Sequence, residues 1–458
     1  MLDPVTYQQR RNVLKESIRE GIVLFPGNGE SPMNYSANPY PFRQDSSFLY
    51  FWGLDMPAIA AALDIDRDQE IVFGNELTLE DRIWMGPLPT LREKCESMGL
   101  QDVRPYRELH DYVQSRTNIH FLPPYRSQIK LQLSALLHKT PHELDASASP
   151  DLIRAVVAQR SIKNADEISA IEASIHVSRA MHAFAMRSAK EGCTEQEIAG
   201  LMEGMALSKG YRLAFPTIFS IHGEFLHNPF YENRLDPDDI IIHDSGVEGA
   251  SHYASDITRT LPVNGRFTQR QKDVYSIVLR AQEKAMQSIR PQIEYREAHR
   301  AASVELASGL KELGLMKGDV HEAVEQGAHT LFFPHGIGHM LGLDVHDMES
   351  LGEDYVGYTD EIERRSDFGW NALRLARPLE PGFVVTVEPG LYFIPDLIDQ
   401  WKSEQKHTDF IQYDRLESYK DFGGVRIEDD VCVTEDGCRV LSAAIPKTIA
   451  DVEGAGCA

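Results

Sequence analysis

Short apolar runs alternate with helix-like stretches over the first 150 residues. The run 21–25 is stopped by a Pro-Gly pair, and residues 59–65 and 70–73 form two more runs of similar length. Apolar runs this short, bounded by turn-forming residues, are typical of buried strands. The pattern predicts an α/β N-terminal domain. Residues 138–150, rich in Pro, Ser and polar residues, place the domain boundary after residue 150.

Residues 151–458 have longer amphipathic stretches and a different order of elements. Three helix starts carry a capping residue followed three positions later by an acid or amide, at Asn164, Thr194 and Thr268. Between the helices lie four strand-like runs, at 240–242, 257–263, 384–387 and 425–427. Long helices combined with antiparallel strands predict an α+β domain in which the helices cover a curved sheet.

Two aspartates flank the first strand-like runs of this second domain. Asp244 follows the run 240–242 and Asp256 precedes the run 257–263, so a hairpin through Gly249 brings the two carboxylates side by side. Close carboxylates raise one pKa, and a divalent cation between them removes the conflict. An aspartate at a strand end is more often a turn former or cap, so this pair alone does not establish a metal site.

The segment 332–347 contains three histidines within twelve residues, His335, His339 and His346. Its proline and glycines oppose a helix and favour an extended or looping backbone. A single histidine among apolar residues is more often a satisfied core residue. Three in this spacing favour metal binding or proton transfer near neutral pH.

Glu388 and Glu428 are single acids set among Val and Ile residues. Burying such an acid without a partner is costly, and a pair of metal ions supplies that partner. Arg426 lies two positions before Glu428, on the same face of the strand, and is expected to orient a ligand carboxylate. The alternative for Glu428 is an exposed acid within the acidic stretch 428–430.

Charge and cysteine content exclude several classes of protein. Lys and Arg number 46 and Asp and Glu 70, giving a net charge of −24 at pH 7, whereas nucleic-acid interfaces need clustered basic residues. No apolar run is long enough for a membrane helix, and the first residues lack the apolar core of a secretory signal. Five cysteines without a Cys-x-x-Cys pair predict no disulfide framework and no thiolate zinc site. We therefore expect a cytoplasmic protein that binds neither nucleic acid nor a membrane.

Four segments together carry a family pattern: SDITRTLPVNGRFT (255–268), FFPHGIGHMLGLDVHD (332–347), VVTVEPGLYF (384–393) and GGVRIEDDVCVTEDG (423–437). They resemble the pita-bread metallopeptidases that cleave Xaa-Pro bonds, the aminopeptidase P and prolidase family. Upstream, residues 40–48 and 84–87 resemble the N-terminal domain of the aminopeptidase P type. The resemblance implies a catalytic pita-bread domain at 151–458 preceded by the smaller α/β domain at 1–150.

The resemblance also implies a dinuclear metal site with Mn²⁺ as the expected ion and Co²⁺ or Zn²⁺ as alternatives. One metal is held by Asp244 and Asp256 and the other by His339 and Glu388, while Asp256 and Glu428 bridge the pair. Asp244 and Asp256 stand twelve residues apart here, against eleven in the family pattern. We expect the extra residue to lengthen the hairpin around 246–251 without moving either ligand.

The remaining site residues are implied in the same way. His227, His335 and His346 match the active-site histidines of the family, and His227 or His346 is expected to stabilise the oxyanion. Glu388 is expected to pass a proton to the leaving proline nitrogen, and Arg426 joins the substrate-binding residues. Proline-containing peptides are the expected substrates, and a homodimer or homotetramer is the expected assembly.

Three functions remain open. The N-terminal motif and residues 257–265 favour an Xaa-Pro aminopeptidase, which is the preferred hypothesis. Residues 371–424 look more like prolidase, because Arg374 stands fourteen positions before Glu388, where prolidases bind the free carboxylate of a dipeptide. A surface arginine is the alternative for Arg374. A metal-free binding protein of the same fold is the remote third possibility, which five filled ligand positions disfavour.

Overall fold

A computed structural model describes residues 2–457, which form two compact units. The first contains the chain as far as Arg160 together with Met348–Tyr355, and the second contains Ser161–Asp347 and the chain from Val356 onward. The domain boundary placed after residue 150 stays a prediction. Among residues 2–457, no helix combines the length and the apolar character that crossing a membrane requires.

The first unit is built on a five-stranded sheet. Its strands are β1 (Ile22–Pro26), β2 (Ala60–Asp64), β3 (Gln69–Gly74), β4 (Asp102–Pro105) and β5 (Ile119–His120), in the order β4-β3-β2-β1-β5. The three central strands are antiparallel, and β4 and β5 join the sheet edges in parallel. Its helices are α1 (Pro4–Ile18), α2 (Ser46–Trp52), α3 (Leu79–Met85), α4 (Leu91–Ser97), α5 (Glu108–Gln114), α6 (Ser127–Leu137), α7 (Pro141–Asp145) and α8 (Pro150–Ser161). The three strands predicted here are confirmed.

The chain after Ser161 alternates helices with short antiparallel sheets. The helices are α9 (Ala165–Ser188), α10 (Glu195–Ser208), α11 (Gln269–Ser288), α12 (Tyr295–Glu312), α13 (Val320–Glu325), α14 (Glu353–Gly357), α15 (Pro395–Ser403), α16 (Tyr413–Leu416) and α17 (Ile449–Cys457). The strands are β6 (Arg212–Leu213), β7 (Ile218–Ser220), β8 (Ile240–Ser245), β9 (Val247–Glu248), β10 (Ile257–Pro262), β11 (Val384–Val387), β12 (Gly390–Tyr392), β13 (Gly424–Arg426), β14 (Asp429–Val433) and β15 (Cys438–Val440). They form the sheets β10-β8-β7, β11-β14-β15, β12-β13 and β6-β9. The four predicted strands are present.

The three predicted helix starts are also confirmed. Asn164, Thr194 and Thr268 are the N-caps of α9, α10 and α11, and each forms a reciprocal capping box with the residue three positions later. Each box satisfies two backbone N–H groups that have no partner inside the helix. The long helix α11 lies against β11, β12 and β13, so its start and direction bear on the strands that carry the site.

The register of the strands determines which residues face one another. In the β8–β10 pair, Asp244 is opposite Thr258, and the hairpin turns between Glu248 and Ala254, which pair with each other. The β11–β14 and β12–β13 pairs share one register, so continuing either of them places Glu388 opposite Glu428. Residues 332–347 contain no helix, as their proline and glycines predict.

Replacing the N-cap of α9 tests how much the capping box contributes to stability. Asn164→Ala removes the side-chain oxygen that accepts the Glu167 N–H at 2.9 Å, and we expect it to lower the free energy of unfolding by about 1 kcal/mol. Asn164→Asp keeps an acceptor at the same place and should change stability by less than half as much. Urea denaturation followed by circular dichroism measures both. An equal loss in the two variants would show that the cap is not the cause.

Candidate metal centre

Strand ends bring four carboxylates of the second unit together in its interior. Asp244 is the next-to-last residue of β8, and Asp256 precedes β10. Glu388 lies between β11 and β12, and Glu428 lies between β13 and β14. The side chain of Asp244 is 12% exposed, that of Asp256 is 7% exposed and that of Glu388 is 18% exposed. The whole residue Glu428 is 2% exposed. Acids this deeply buried need compensating charge.

His339 adds an imidazole to this group. Its Nδ1 is 3.0 Å from the carbonyl oxygen of Met340, and because a carbonyl only accepts, Nδ1 must carry the hydrogen. Nε2 is then the acceptor nitrogen, and it faces Asp256 Oδ2 at 3.4 Å and Glu388 Oε1 at 3.6 Å. A nitrogen lone pair directed at two carboxylate oxygens suits a site with a cation between them.

The donor set fits a divalent cation. Asp256, His339 and Glu428 each offer one ligand atom, and these atoms all lie within 4.8 Å of one another. Asp244 Oδ1 is buried and has no hydrogen-bond donor within residues 2–457. This oxygen is therefore available as a metal ligand. Carboxylate oxygens with one imidazole and no thiolate suit ions such as Mn²⁺.

Three of the four buried acids have pKa values above their ordinary ones. Burial raises the pKa of Asp256 well above its ordinary value, and the charge of Asp244 adds to the rise. Burial, followed by the charges of Asp256 and Glu388, also raises the pKa of Glu428. Burial raises the pKa of Glu388 to about 7, although His339 and Arg426 oppose the rise. Without a cation, the cluster therefore favours carrying protons.

Arg426 is the guanidinium that joins these acids. Its Nη2 donates to Asp244 Oδ2 at 2.7 Å, its Nε donates to Thr258 Oγ1 at 3.1 Å, and its Nη1 donates to the Tyr392 hydroxyl at 3.0 Å. Thr258 in turn donates to Glu428 Oε2 at 2.8 Å. Arg426 thus orients Asp244 directly and Glu428 through one hydroxyl.

His335 belongs to the same network. Its Nδ1 is 2.8 Å from the Gly336 carbonyl and its Nε2 is 2.8 Å from the Tyr392 hydroxyl. The carbonyl requires a hydrogen on Nδ1, so Nε2 accepts from Tyr392. Burial and the Arg426 charge lower the pKa of His335 to about 3, which keeps the ring neutral. Its Nδ1 lies 3.8 Å from Glu388 Oε2.

The other predicted site residues lie around the cluster. The ring of His346 packs edge-on against that of His339, with centroids 4.2 Å apart. His227 is at the exposed margin, where partial burial and the Arg426 charge lower its pKa. Arg374 is half-buried, and its charge also acts on His227. The structure thus places all ten predicted residues in or beside one site, and their individual roles stay predictions.

Two residues of this network were not anticipated from the sequence, Thr258 and Tyr392. Each lies an even number of positions along the chain from a predicted ligand, Thr258 two after Asp256 and Tyr392 four after Glu388. Side chains alternate between the faces of a strand, so this spacing was a usable signal that both share a face with the ligands. What they contact depended on neighbouring strands.

Comparison with known proteins identifies relatives of both units. The model of metallopeptidase family M24 matches residues 169–435, and that of the aminopeptidase P N-terminal domain matches residues 7–120. The Xaa-Pro dipeptidase of Rattus norvegicus is 31% identical, over 96% of this chain and 90% of its own length. The Xaa-Pro aminopeptidase of Escherichia coli K12 is also 31% identical, over 98% of this chain and 96% of its own length.

Solved structures agree with this result. Aminopeptidase PepP of Pseudomonas aeruginosa matches with a TM-score of 0.82 and 29% identity, covering 100% of this chain and 98% of its own. The low-pH form of E. coli aminopeptidase P matches with a TM-score of 0.83 and 28% identity, covering 100% of this chain and 99% of its own. The predicted fold, an α+β pita-bread domain preceded by a smaller α/β domain, is confirmed.

The pKa of Glu388 predicts how the stability of the metal-free protein depends on pH. The folded state holds a proton on Glu388 up to about pH 7, whereas the unfolded chain releases it near pH 4.5. Stability should therefore fall as pH rises through this window, by roughly 3 kcal/mol at most from this group. Glu388→Gln has no carboxyl group at this position, so its free energy of unfolding should not show this contribution to the decrease with pH.

The measurement is urea unfolding of chelator-washed protein between pH 4.5 and 8. The difference in unfolding free energy between wild type and Glu388→Gln should decrease with rising pH, while the exposed Glu435→Gln control tracks wild type. Excess Mn²⁺ should reverse the slope, because protons compete with the metal. A pH-independent difference between wild type and Glu388→Gln would contradict the prediction.

Proposed function

This chain belongs to metallopeptidase family M24, and on that premise we propose that it is a metal-dependent Xaa-Pro aminopeptidase. It would release the first residue from peptides with proline in second position. The observation that carries the proposal is the convergence of the Asp256, His339 and Glu428 ligand atoms within 4.8 Å. Relatives named Xaa-Pro aminopeptidase and Xaa-Pro dipeptidase support Xaa-Pro hydrolysis in general.

Family membership implies divalent metal ions, and we propose two Mn²⁺, with Co²⁺ or Zn²⁺ as alternatives. Asp244 and Asp256 would hold one and His339 and Glu388 the other, with Asp256 and Glu428 shared between them. When bound, the ions supply a water of lowered pKa and a Lewis acid beside the scissile carbonyl. Two divalent charges would also offset the four buried carboxylates. Without them, burial raises the pKa values of Asp256, Glu428 and Glu388.

The chain's own groups provide the proton transfers. Glu388 keeps a side chain that is 18% exposed, and we propose that it takes a proton and then gives it up. Its proton would pass to the leaving proline nitrogen. His227 or His346 would donate an N–H to the oxygen of the scissile carbonyl as negative charge develops there.

Proline makes a dedicated active site necessary. An Xaa-Pro bond has no N–H at the proline, and the proline ring fixes φ. Peptidases that bind ordinary extended backbone therefore lose a hydrogen bond to the substrate and clash with the ring. A site that accepts the ring and protonates its nitrogen from Glu388 avoids both difficulties. We infer that His227, His335, His346 and Arg426 contact the substrate around this bond.

A second candidate is an Xaa-Pro dipeptidase, favoured by the position of Arg374. The residue is half-buried beside His227, on which its charge acts. A guanidinium there suits the free carboxylate of a dipeptide, because it offers two parallel N–H donors. The remote alternative, a metal-free binding protein, is disfavoured because no metal ion would then offset the negative charge of the acidic cluster.

We further propose a cytoplasmic homodimer or homotetramer. Helix α3 of the first unit exposes Leu79, Ile83 and Trp84, which are 75%, 71% and 80% exposed. Three large apolar side chains on one short helix are more typical of an interface than of a free surface. Analytical ultracentrifugation of the full chain would measure the assembly directly.

The first test compares Ala-Pro with Ala-Pro-Ala as substrates, after a chelator wash and addition of Mn²⁺. We expect turnover of the tripeptide, with release of alanine. Glu388→Ala should abolish it, because the variant lacks a metal ligand and the proton carrier together, while the exposed Glu435→Ala control stays active. Turnover of the dipeptide alone would identify a dipeptidase, and no turnover of either peptide would refute Xaa-Pro hydrolysis.

Arg374→Ala tests the second candidate. If Arg374 binds a free carboxylate, the variant should lose about 10-fold or more of kcat/KM on Ala-Pro and less than about 2-fold on Ala-Pro-Ala, since only the dipeptide places its carboxylate there. Arg439→Ala, which removes an exposed arginine of the same unit, is the control. Equal losses on the two substrates would remove Arg374 from carboxylate recognition.

A further inference from the structure

The strands that carry Glu388 and Glu428 are interrupted at those residues. β11 pairs with β14 and β12 pairs with β13 in one continuous register, but the two ladders stop on either side of residues 388–389 and 427–428. The N–H groups of the two glutamates point away from each other, to the carbonyls of Ile337 and Thr258. In an antiparallel pair, the flanking residues should then exchange hydrogen bonds across the gap.

Proline prevents half of that exchange. The Ile427 N–H donates to the Pro389 carbonyl at 3.4 Å, but the return bond to the Ile427 carbonyl needs an N–H that Pro389 does not have. Both residues are buried, so water does not readily replace the missing donor. The ladder therefore lacks a donor directly beside both glutamates.

Gln282 of α11 supplies a donor at this position. Its Nε2 lies 3.1 Å from the Ile427 carbonyl oxygen and 3.2 Å from that of Val387. These carbonyls belong to the residues immediately before Glu428 and Glu388. One side-chain amide thus bridges the two strands at the point where the ladder is broken.

The orientation of this amide is determined by its neighbours. Lys447 Nζ lies 3.1 Å from Gln282 Oε1 and 2.6 Å from Asp429 Oδ2. An ammonium only donates and the two carbonyls only accept, so Oε1 must face Lys447 and the NH₂ group must face the strands. The Gln282 side chain is fully buried, which restricts it to this arrangement.

We propose that Gln282 is a positioning residue that sets the spacing of Glu388 and Glu428 by supplying the N–H that Pro389 lacks. The inference rests on the proposed function, because it takes these glutamates as metal ligands. Metal binding depends on ligand spacing to within a few tenths of an ångström, so outer contacts of this kind typically change metal affinity about 10- to 100-fold. Gln282 itself reaches neither the metals nor the substrate.

The test measures Mn²⁺ retention by the full-length, metal-loaded chain during titration with a chelator. Gln282→Met keeps the length of the side chain but removes the donor. We expect the apparent affinity for Mn²⁺ to fall about 10-fold or more. Gln287→Met is the control, because it makes the same substitution at an exposed position of the same helix. The control should shift retention by less than about 2-fold.

Pro389→Ala tests whether restoring the missing backbone donor restores Mn²⁺ binding. It returns a backbone N–H opposite Ile427, so Gln282→Met combined with Pro389→Ala should recover most of the lost Mn²⁺ affinity. If Gln282→Met does not fold, Lys447→Met replaces it, since loss of the group that orients Oε1 should weaken retention in the same direction.

The outcomes separate the two proposals. Unchanged retention in Gln282→Met, an equal loss in the Gln287 control, or a loss that Pro389→Ala fails to restore would overturn the role of Gln282. Failure of the wild-type chain to retain Mn²⁺ would instead contradict the proposed function. Because no substrate is present, the measurement does not depend on which peptide the enzyme cleaves.

Discussion

Mutual repulsion among four buried carboxylates is the constraint on which the site depends. Asp244, Asp256, Glu388 and Glu428 converge with one guanidinium, that of Arg426, whose direct bond is to Asp244. One positive charge cannot offset four negative ones in a low-dielectric interior. Burial, with the charges of the neighbouring acids added to it, raises the pKa values of Asp256, Glu428 and Glu388. Either protons or divalent cations must complete the site, and membership of a metallopeptidase family favours cations.

A cluster that repels itself must be held by contacts from outside. Short antiparallel strands set the backbone positions, since Asp244 faces Thr258 and the continued register places Glu388 opposite Glu428. Hydrogen bonds then orient the side chains, from Arg426 to Asp244 and from Thr258 to Glu428. The carboxylates are therefore arranged before any ion binds, so little of the binding free energy is needed for ordering them.

Much of this architecture follows from local sequence. The caps at Asn164, Thr194 and Thr268 and the apolar strand runs predicted elements that the structure contains, because capping and period-two burial act within a few residues. The acids and histidines of the site were also identifiable, although their roles remain proposals. Their positions break apolar runs, where a buried acid needs a compensating partner.

What could not be predicted depends on contacts between distant segments. Gln282 has the sequence context of an ordinary helical residue, and its significance appears only when α11 lies against the strands interrupted at Pro389. Thr258 shares a face with Asp256 by simple alternation, but its bond to Glu428 joins residues 170 positions apart. Register between strands so far apart in the chain is a property of the tertiary fold, and no local pattern encodes it.

The proposed metal centre acts on the scissile bond and does not itself select peptide length. In the proposed mechanism, hydrolysis of an Xaa-Pro bond would use the same ions, the same proton carrier and the same treatment of the proline nitrogen whether the peptide ends at that proline or continues. Discrimination must therefore come from groups beyond the reacting bond, where a dipeptide presents a carboxylate and a longer peptide presents an amide. Arg374, beside His227 at the margin of the site, is in the right chemical class for that choice. A charged partner for the carboxylate favours dipeptides strongly only if the site also lacks space for the next residue, since an amide carbonyl can accept from the same guanidinium. Length selectivity is thus a question of what excludes the third residue as much as of what binds the second.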